Sequence, residues 1–261
     1  MIKVSVVMPI FNEENHVAAA IESILSQSLG DFELIIINDG STDNSIDVIT
    51  RYNDNRISII NKHNSGVADS LNIGISTAKA SLIARMDADD MCDHNRLSIQ
   101  TRFLDSHPDL ALVGSWGYVR HEHDAPLRKV ILPLKHDNII RFMQRDNPFI
   151  HSSVLFRKEA FLNVGQYKIV QGMEDYDLWI RMASVYQLAN VPLFLVTRLD
   201  FNNFETKMTY SGLQKSNIYK KRLYYQIMAI KTFGLYPLSI IYLLKTILSI
   251  AICNVKSLKV C

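Results

Sequence analysis

The feature that most constrains this chain is a pattern that recurs through its N-terminal third. A short apolar run without polar alternation is followed by a polar turn and then by apolar residues at helical spacing. Val4 to Met8 stops at Pro9 and precedes Val17, Ala20, Ile21, Ile24 and Leu25, up to Gly30. Leu34 to Ile37 stops at Asn38-Asp39-Gly40-Ser41-Thr42-Asp43 and precedes Ile46 and Ile49. Ile57 to Ile60 leads through Asn64 and Gly66 to Val67, Leu71, Ile75 and Ala78. Ser81 to Met86 runs into Asp87-Ala88-Asp89-Asp90, with a helix expected from near His94. Strands that lack alternation and are separated by helices are buried on both faces, so the expected class is α/β, a Rossmann-like, mostly parallel sheet flanked by helices.

In such a sheet, ligands bind beyond the carboxyl ends of the strands. Phe11-Asn12-Glu13, Asn38-Asp39-Gly40 and Asp87-Ala88-Asp89-Asp90 each follow a strand end, so three distant stretches should converge on one rim. Neither a Gly-x-Gly-x-x-Gly loop after the first strand nor a Walker glycine loop occurs, which removes support for dinucleotide and P-loop readings. Further on, Leu110 to Gly114 reads as a strand, the stretch to Pro148 as less regular, His151 to Phe156 as a strand with a polar start and Glu174 to Met182 as a helix. This half is expected to be mixed rather than parallel, and to hold a second substrate.

Charge is unevenly distributed. The net +2 of the 261 residues divides into +9 after Glu205, where no acid occurs, and −7 before it. An acidic body argues against nucleic acid as a partner, and a basic tail suggests an anionic surface. Cys92, Cys253 and Cys261 are widely separated, odd in number and without a Cys-x-x-Cys pair, against a disulfide framework or structural zinc. The N-terminus shows no cleavage pattern, so the body is expected in the cytoplasm.

Three carboxylates within Asp87-Ala88-Asp89-Asp90 repel one another unless protons or a cation neutralise them, and hard Mg²⁺ or Mn²⁺ ions take such oxygen ligands. Helix capping by Asp89, Asp90 or Asp93 is the competing reading. Asp39 suits either a helix cap or hydrogen bonding to a base or ribose. Asp175, in Glu174-Asp175-Tyr176-Asp177, suits either a general base tuned by burial or a first-turn acid facing the helix dipole. Trp179 reads as core. His121-Glu122-His123 reads as a solvated loop for want of a third ligand. His151 is open between packing and contact with a bound sugar or pyrophosphate.

As an ordered set, these motifs resemble glycosyltransferase family 2 with the GT-A fold, from Val4 to about Arg181. The resemblance is carried by Val6-Val7-Met8-Pro9-Ile10-Phe11-Asn12-Glu13, Ile37-Asn38-Asp39-Gly40-Ser41-Thr42-Asp43, Asn64-Ser65-Gly66, Leu71-Asn72-Ile73-Gly74, Ala84-Arg85-Met86-Asp87-Ala88-Asp89-Asp90 and Glu174-Asp175-Tyr176-Asp177-Leu178-Trp179. It implies that Pro9, Phe11 and Glu13 contact the nucleotide, with Asn64 and Ala88 in the same donor site, and that Asp39 reads base or ribose. Asp87 and Asp89 match the Asp-x-Asp acids, Asp89 being the better direct ligand of Mn²⁺ or Mg²⁺. Asp175 matches the catalytic base. Leu71 stands where many relatives carry Arg, and Arg198 is the candidate for the diphosphate-closing arginine.

The implied activity is inverting, metal-dependent transfer of a hexosyl or N-acetylhexosaminyl group from a nucleotide-diphosphate donor, a UDP-sugar being favoured. The acceptor would be a hydroxyl of a glycan or lipid-linked oligosaccharide in bacterial surface-polysaccharide assembly. The alternative is a non-catalytic sugar-nucleotide-binding or membrane-docking protein on the same fold. The expected organisation is a GT-A domain over 1–205, with a nucleotide-sugar half at 1–114 and an acceptor half at 115–205, then a basic, apolar helical tail at 206–261. In the tail, Leu235 to Cys253 approaches the ~20 residues of a bilayer span, but Lys245 near its middle favours a helix in the membrane interface. Ser239, Tyr242, Thr246 and Ser249 share one stripe, so docking on the protein's own body or on another subunit is the competing reading. The protein would then sit at the inner face of the cell membrane.

Overall fold

The computed structural model describes residues 1–120, 126–170, 172–199 and 212–258. The expected units form strands β1 (Val4–Ile10), β2 (Phe32–Asn38), β3 (Ile57–Asn61) and β4 (Leu82–Arg85). Between them lie helices α1 (Val17–Leu25), α2 (Ser45–Ile49) and α3 (Val67–Thr77). β3, β2, β1 and β4 are neighbours in that order and all parallel. Every residue of β2 and β4 is buried, which is why neither sequence alternates. Gly74 lets α3 approach this sheet, since a Cβ there would meet Val7 Cγ1 at 2.5 Å.

The second half is mixed, as expected. It contains β5 (Met91–Cys92), α4 (Arg96–Ser106), β6 (Leu110–Arg120), β7 (Arg128–Val130), α5 (His136–Met143), β8 (Leu155–Arg157), α6 (Lys158–Asn163), α7 (Glu174–Ala183) and β9 (Gln187–Leu199). β8 joins the halves by pairing antiparallel with both β4 and β6. β9 then pairs parallel with β6 and antiparallel with β5. Apolar clusters fill both faces of the sheet, and Trp179 is wholly buried in one of them, as its reading as core requires.

Two local expectations need correction. His151 to Phe156 is not one strand. His151–Ser153 make a turn of 3-10 helix, closed by Ser153 N and Oγ donating to the Ile150 carbonyl at 2.9 and 2.8 Å, and only Leu155–Arg157 is extended. β9 has no counterpart among the expected strands because Pro192 interrupts it. The pairing passes from Ser115↔Val191 to Trp116↔Phe194, so Pro192 and Leu193 bulge out where a proline would otherwise break the ladder.

The tail is a helical hairpin of α8 (Gly212–Phe233) and α9 (Ser239–Leu258). It docks on the body. Tyr225 and Ala229 join the core around Trp179, and the Tyr225 ring lies 5.6 Å from that of Tyr176. Gln144 holds the hairpin turn, donating to the Gly234 carbonyl at 2.5 Å and accepting from Tyr236 N at 3.2 Å and from Ser239 Oγ. Among the described residues, no helix is long and apolar enough to cross a membrane. His121-Glu122-His123 and the 205/206 boundary lie outside the described residues.

Candidate active site

The loops after β1, β2 and β4 meet at one rim. Asn12 adopts φ 58°, and its Oδ1 accepts from Thr42 N at 2.8 Å. Glu13 N donates to Ser45 Oγ at 2.8 Å and Glu14 N to Asp43 at 3.0 Å, so the first two loops are clamped together. Gly40, at φ +74°, brings the second loop against the third, because a Cβ there would meet Asn64 N at 2.9 Å. These contacts enclose a cavity of about 400 Å³ lined by Pro9, Phe11, Glu13, Asp39, Asn64, Asp87, Ala88 and Asp89, among others. All the nucleotide and metal candidates except Arg198 thus share one cavity. Arg198 sits near the end of β9, exposed and opposite Val119.

Asp39 does not cap the helix that follows it. Its carboxylate accepts from Ser65 N and Gly66 N, both at 2.9 Å, and pairs with Lys62 Nζ at 2.5 Å, fixing the approach to α3. Nor do Asp89 and Asp90 cap α4, which begins at Arg96 without a side-chain cap. Asp93 accepts from Asn95 N at 2.8 Å instead.

Oxygens of Asp87, Asp89 and Asp90 lie within 4.8 Å of one another. Burial opposes ionisation of Asp87, but the Arg85 guanidinium against it holds its carboxyl below the usual range. Arg85 also donates to Ser152 Oγ at 2.9 Å, and Ser152 Oγ lies 2.9 Å from Asp87 and bonds Asp90. Asp90 is pushed well up by burial and by its two neighbours, and Leu199 N donates to it at 3.1 Å. Asp89 is raised by burial and then by Asp87, and Glu13 by burial and then by Asp89. An all-oxygen set in which Asp89 and Asp90 resist ionisation, through burial first and then the charge of their neighbours, fits a hard divalent cation, with Asp87 and Asp89 facing the cavity to hold it.

Asp175 stands in the first turn of α7. Asn147 Nδ2 donates to its Oδ2 at 2.6 Å and Tyr176 N to its Oδ1 at 2.7 Å. Burial, and then the charge of Glu174, raise it to about 6. Arg85 touches Asp87 and also acts electrostatically on Asp175, so one buried cation influences both the acid cluster and the base candidate. His151 Nε2 pairs with the Tyr167 hydroxyl at 2.9 Å, and burial followed by the nearby Arg85 holds the imidazole far below its usual pKa.

The description "Glycosyl transferase family 2" belongs to a family model that matches residues 5–165. The chain belongs to this family. The amylovoran biosynthesis glycosyltransferase AmsE of Erwinia amylovora is 28% identical over 248 residues, which cover 93% of this chain and 92% of that one. Among solved structures, S. aureus TarS 1-349 in complex with UDP-GlcNAc has TM-score 0.69 at 16% identity, over 97% of this chain and 72% of that one. Mannosyltransferase PcManGT from Pyrobaculum calidifontis, in complex with GDP-Man and Mn²⁺, has TM-score 0.67 at 16% identity, over 97% and 73%. The fold is GT-A, and the chain is a family 2 glycosyltransferase.

Sequence reasoning missed the second layer of this family 2 site. Arg85 had a usable signal, a charge inside a wholly buried strand, which must be paired. Ser152 and Asn147 carried none, because their partners are far away in sequence.

Proposed function

We propose that the protein transfers a hexosyl or N-acetylhexosaminyl group, with inversion, from a UDP-sugar to a hydroxyl of a glycan or lipid-linked oligosaccharide in surface-polysaccharide assembly. The reading rests chiefly on one observation: eight donor and metal candidates, distant in sequence, line a single cavity at the strand ends. The UDP-GlcNAc complex of TarS supports the donor class, and the Mn²⁺ complex of PcManGT supports the cation. The amylovoran biosynthesis of AmsE supports a polysaccharide product.

Pro9, Phe11, Glu13, Asn64 and Ala88 would hold the nucleotide, with Asp39 reading base or ribose from its fixed position. Bound at Asp87 and Asp89, Mn²⁺ or Mg²⁺ would supply charge stabilisation to the departing diphosphate. Arg85 keeps Asp87 ionised for that purpose. Asp175 would take the acceptor proton. A base of pKa about 6 is largely free at neutral pH yet basic enough to accept a proton. Attack opposite the leaving group then inverts the anomeric centre. Arg198 would close over the diphosphate. Residues 1–205 form the transferase in this reading, 1–114 serving the donor and 115–205 the acceptor. The tail at 206–261 meets the inner face of the cell membrane.

Purified protein is incubated with Mn²⁺ and a panel of nucleotide sugars, and donor consumption is followed. One UDP-sugar should be consumed, chelation should stop the reaction, and Asp89→Asn should require far more Mn²⁺. Asp175→Asn should abolish transfer while UDP binding persists. Unchanged transfer by Asp175→Asn would sink the assignment of the base.

A further inference from the structure

A surface helix in water turns its apolar stripe inward and its polar side out. α9 does the reverse. Ser239 and Thr246 are buried, with Tyr242 and Ser249 partly so, whereas Ile240, Ile241, Leu244, Ile247, Leu248 and Ile252 are each between 47% and 60% exposed. At 3.6 residues per turn these six share one stripe about 140° wide. The polar side is engaged with the protein through the Ser239 bond to Gln144, so the apolar stripe cannot turn inward without breaking the dock.

Beside this stripe, a cavity of about 290 Å³ opens between α8 and α9, lined by Arg145, Arg222, Lys245, Thr246 and Ser249, among others. Arg222 Nη2 donates to the Arg145 carbonyl at 3.1 Å and to Asp146 at 2.8 Å, yet its Nε–H is buried with no acceptor among the described residues. Three cations against a single carboxylate fit an anion of the phosphate type.

We propose that α9 lies in the surface of an anionic phospholipid bilayer, its outward stripe among the acyl chains and a lipid phosphate in the Arg145–Arg222–Lys245 cleft. This deepens, and rests on, the reading that the tail meets the membrane. A second copy is the poorer occupant. After Glu205 the tail holds no acid, so a two-fold interface through this stripe would bring Lys245 of each copy together with no tail carboxylate to answer them. Anionic headgroups do answer them, and the exposed Lys220 and Lys231 add to the attraction.

The test is flotation of the full chain with vesicles of phosphatidylcholine alone or mixed with phosphatidylglycerol. The protein should float with the mixed vesicles, at least about fivefold more weakly with the neutral ones, and less as salt rises. Leu244→Glu with Leu248→Glu should abolish flotation. Both leucines are 60% exposed, so glutamates there meet solvent, and circular dichroism checks the fold. Lys245→Glu should remove the preference for phosphatidylglycerol and leave weak binding. Absence of flotation overturns the proposal. Equal binding to both vesicles, or a Lys245→Glu protein that keeps the preference for phosphatidylglycerol, overturns the lipid-phosphate cleft. A dimer that the double variant converts to monomer overturns it in favour of a second copy. UDP-dependent thermal stabilisation of the wild-type chain, measured without vesicles, is independent of all these outcomes. Its absence alongside intact flotation faults the sugar-transfer reading, not the membrane one.

Discussion

Asn147 donates to the Asp175 carboxylate at 2.6 Å, and the residue before it, Asp146, is held by Arg222 of the tail at 2.8 Å. Two consecutive residues therefore tie the candidate base on one side and α8 on the other. Asn147→Ala frees the Asp175 carboxylate to rotate and removes a bond that favours its charged form. We expect kcat to fall by about 10- to 100-fold with little change in donor KM, and the ionisation governing the rate to move upward from about 6. Steady-state kinetics across a pH series measures both, and a fall in kcat with an unmoved pH limb would mean that Asn147 acts only through the fold.

The acid limb of the rate should itself report Asp175. A base must be deprotonated to act, so kcat/KM should rise with pH, level off above about 6 and fall tenfold per unit below it. Glu174 is the second cause of the raised value, after burial. Glu174→Gln should shift the limb to lower pH, because the neighbouring negative charge that favours the protonated form is gone. A limb that does not respond to Glu174→Gln would point to another group.

Arg85 is buried against the partly exposed Asp87 and near the buried Asp90, so its loss should be costly even without substrate. Arg85→Met leaves Asp87 and Asp90 without their cation, and because Asp87 is partly open to the cavity the cost is about 1–3 kcal/mol rather than that of a fully buried pair. The penalty should shrink as pH falls, since protonation removes the uncompensated charge. Mn²⁺ should shrink it too, by replacing the guanidinium. Urea unfolding at about pH 5 and about pH 8, with and without Mn²⁺, checks this. A penalty that is the same in every condition would show that Arg85 contributes packing alone.

How far the sequence could be read depended on the range of each interaction. The first four strands were legible because burial on both faces leaves an unbroken apolar run, and the rule of strand ends then gathered Phe11, Asp39 and Asp87 at one rim. The capping alternatives for Asp39 and Asp89 could be settled only in three dimensions. Asp39 is taken by Ser65 and Gly66 in the next unit, a partnership to which local spacing does not point. β9 was hidden by Pro192, which argues against a central strand unless a bulge absorbs it. The tail was legible as amphipathic, but which side faces the body depends on Gln144 and Tyr176, neither of which is near it in sequence.

Gly74 tests whether the fourth matched block, Leu71-Asn72-Ile73-Gly74, serves packing rather than substrate. It lies on α3 and is buried, and a Cβ there would come within 2.5 Å of Val7 Cγ1 and 3.2 Å of Ile37 Cγ1. Both contacts are β-branched side chains on buried strands, with little freedom to turn away. Alanine would gain helix propensity worth about 1 kcal/mol but force α3 off the sheet, and overpacking of this kind costs about 1–3 kcal/mol. Gly74→Ala should therefore lower the urea midpoint. Because α3 is fixed to the donor cavity through Gly66 and Asp39, UDP binding should weaken with it. Gly74→Ala combined with Val7→Ala should recover part of the UDP affinity, since the smaller side chain makes room for the new methyl. A Gly74→Ala protein as stable as the wild type would show that α3 does not need the close approach, and that the glycine has another role.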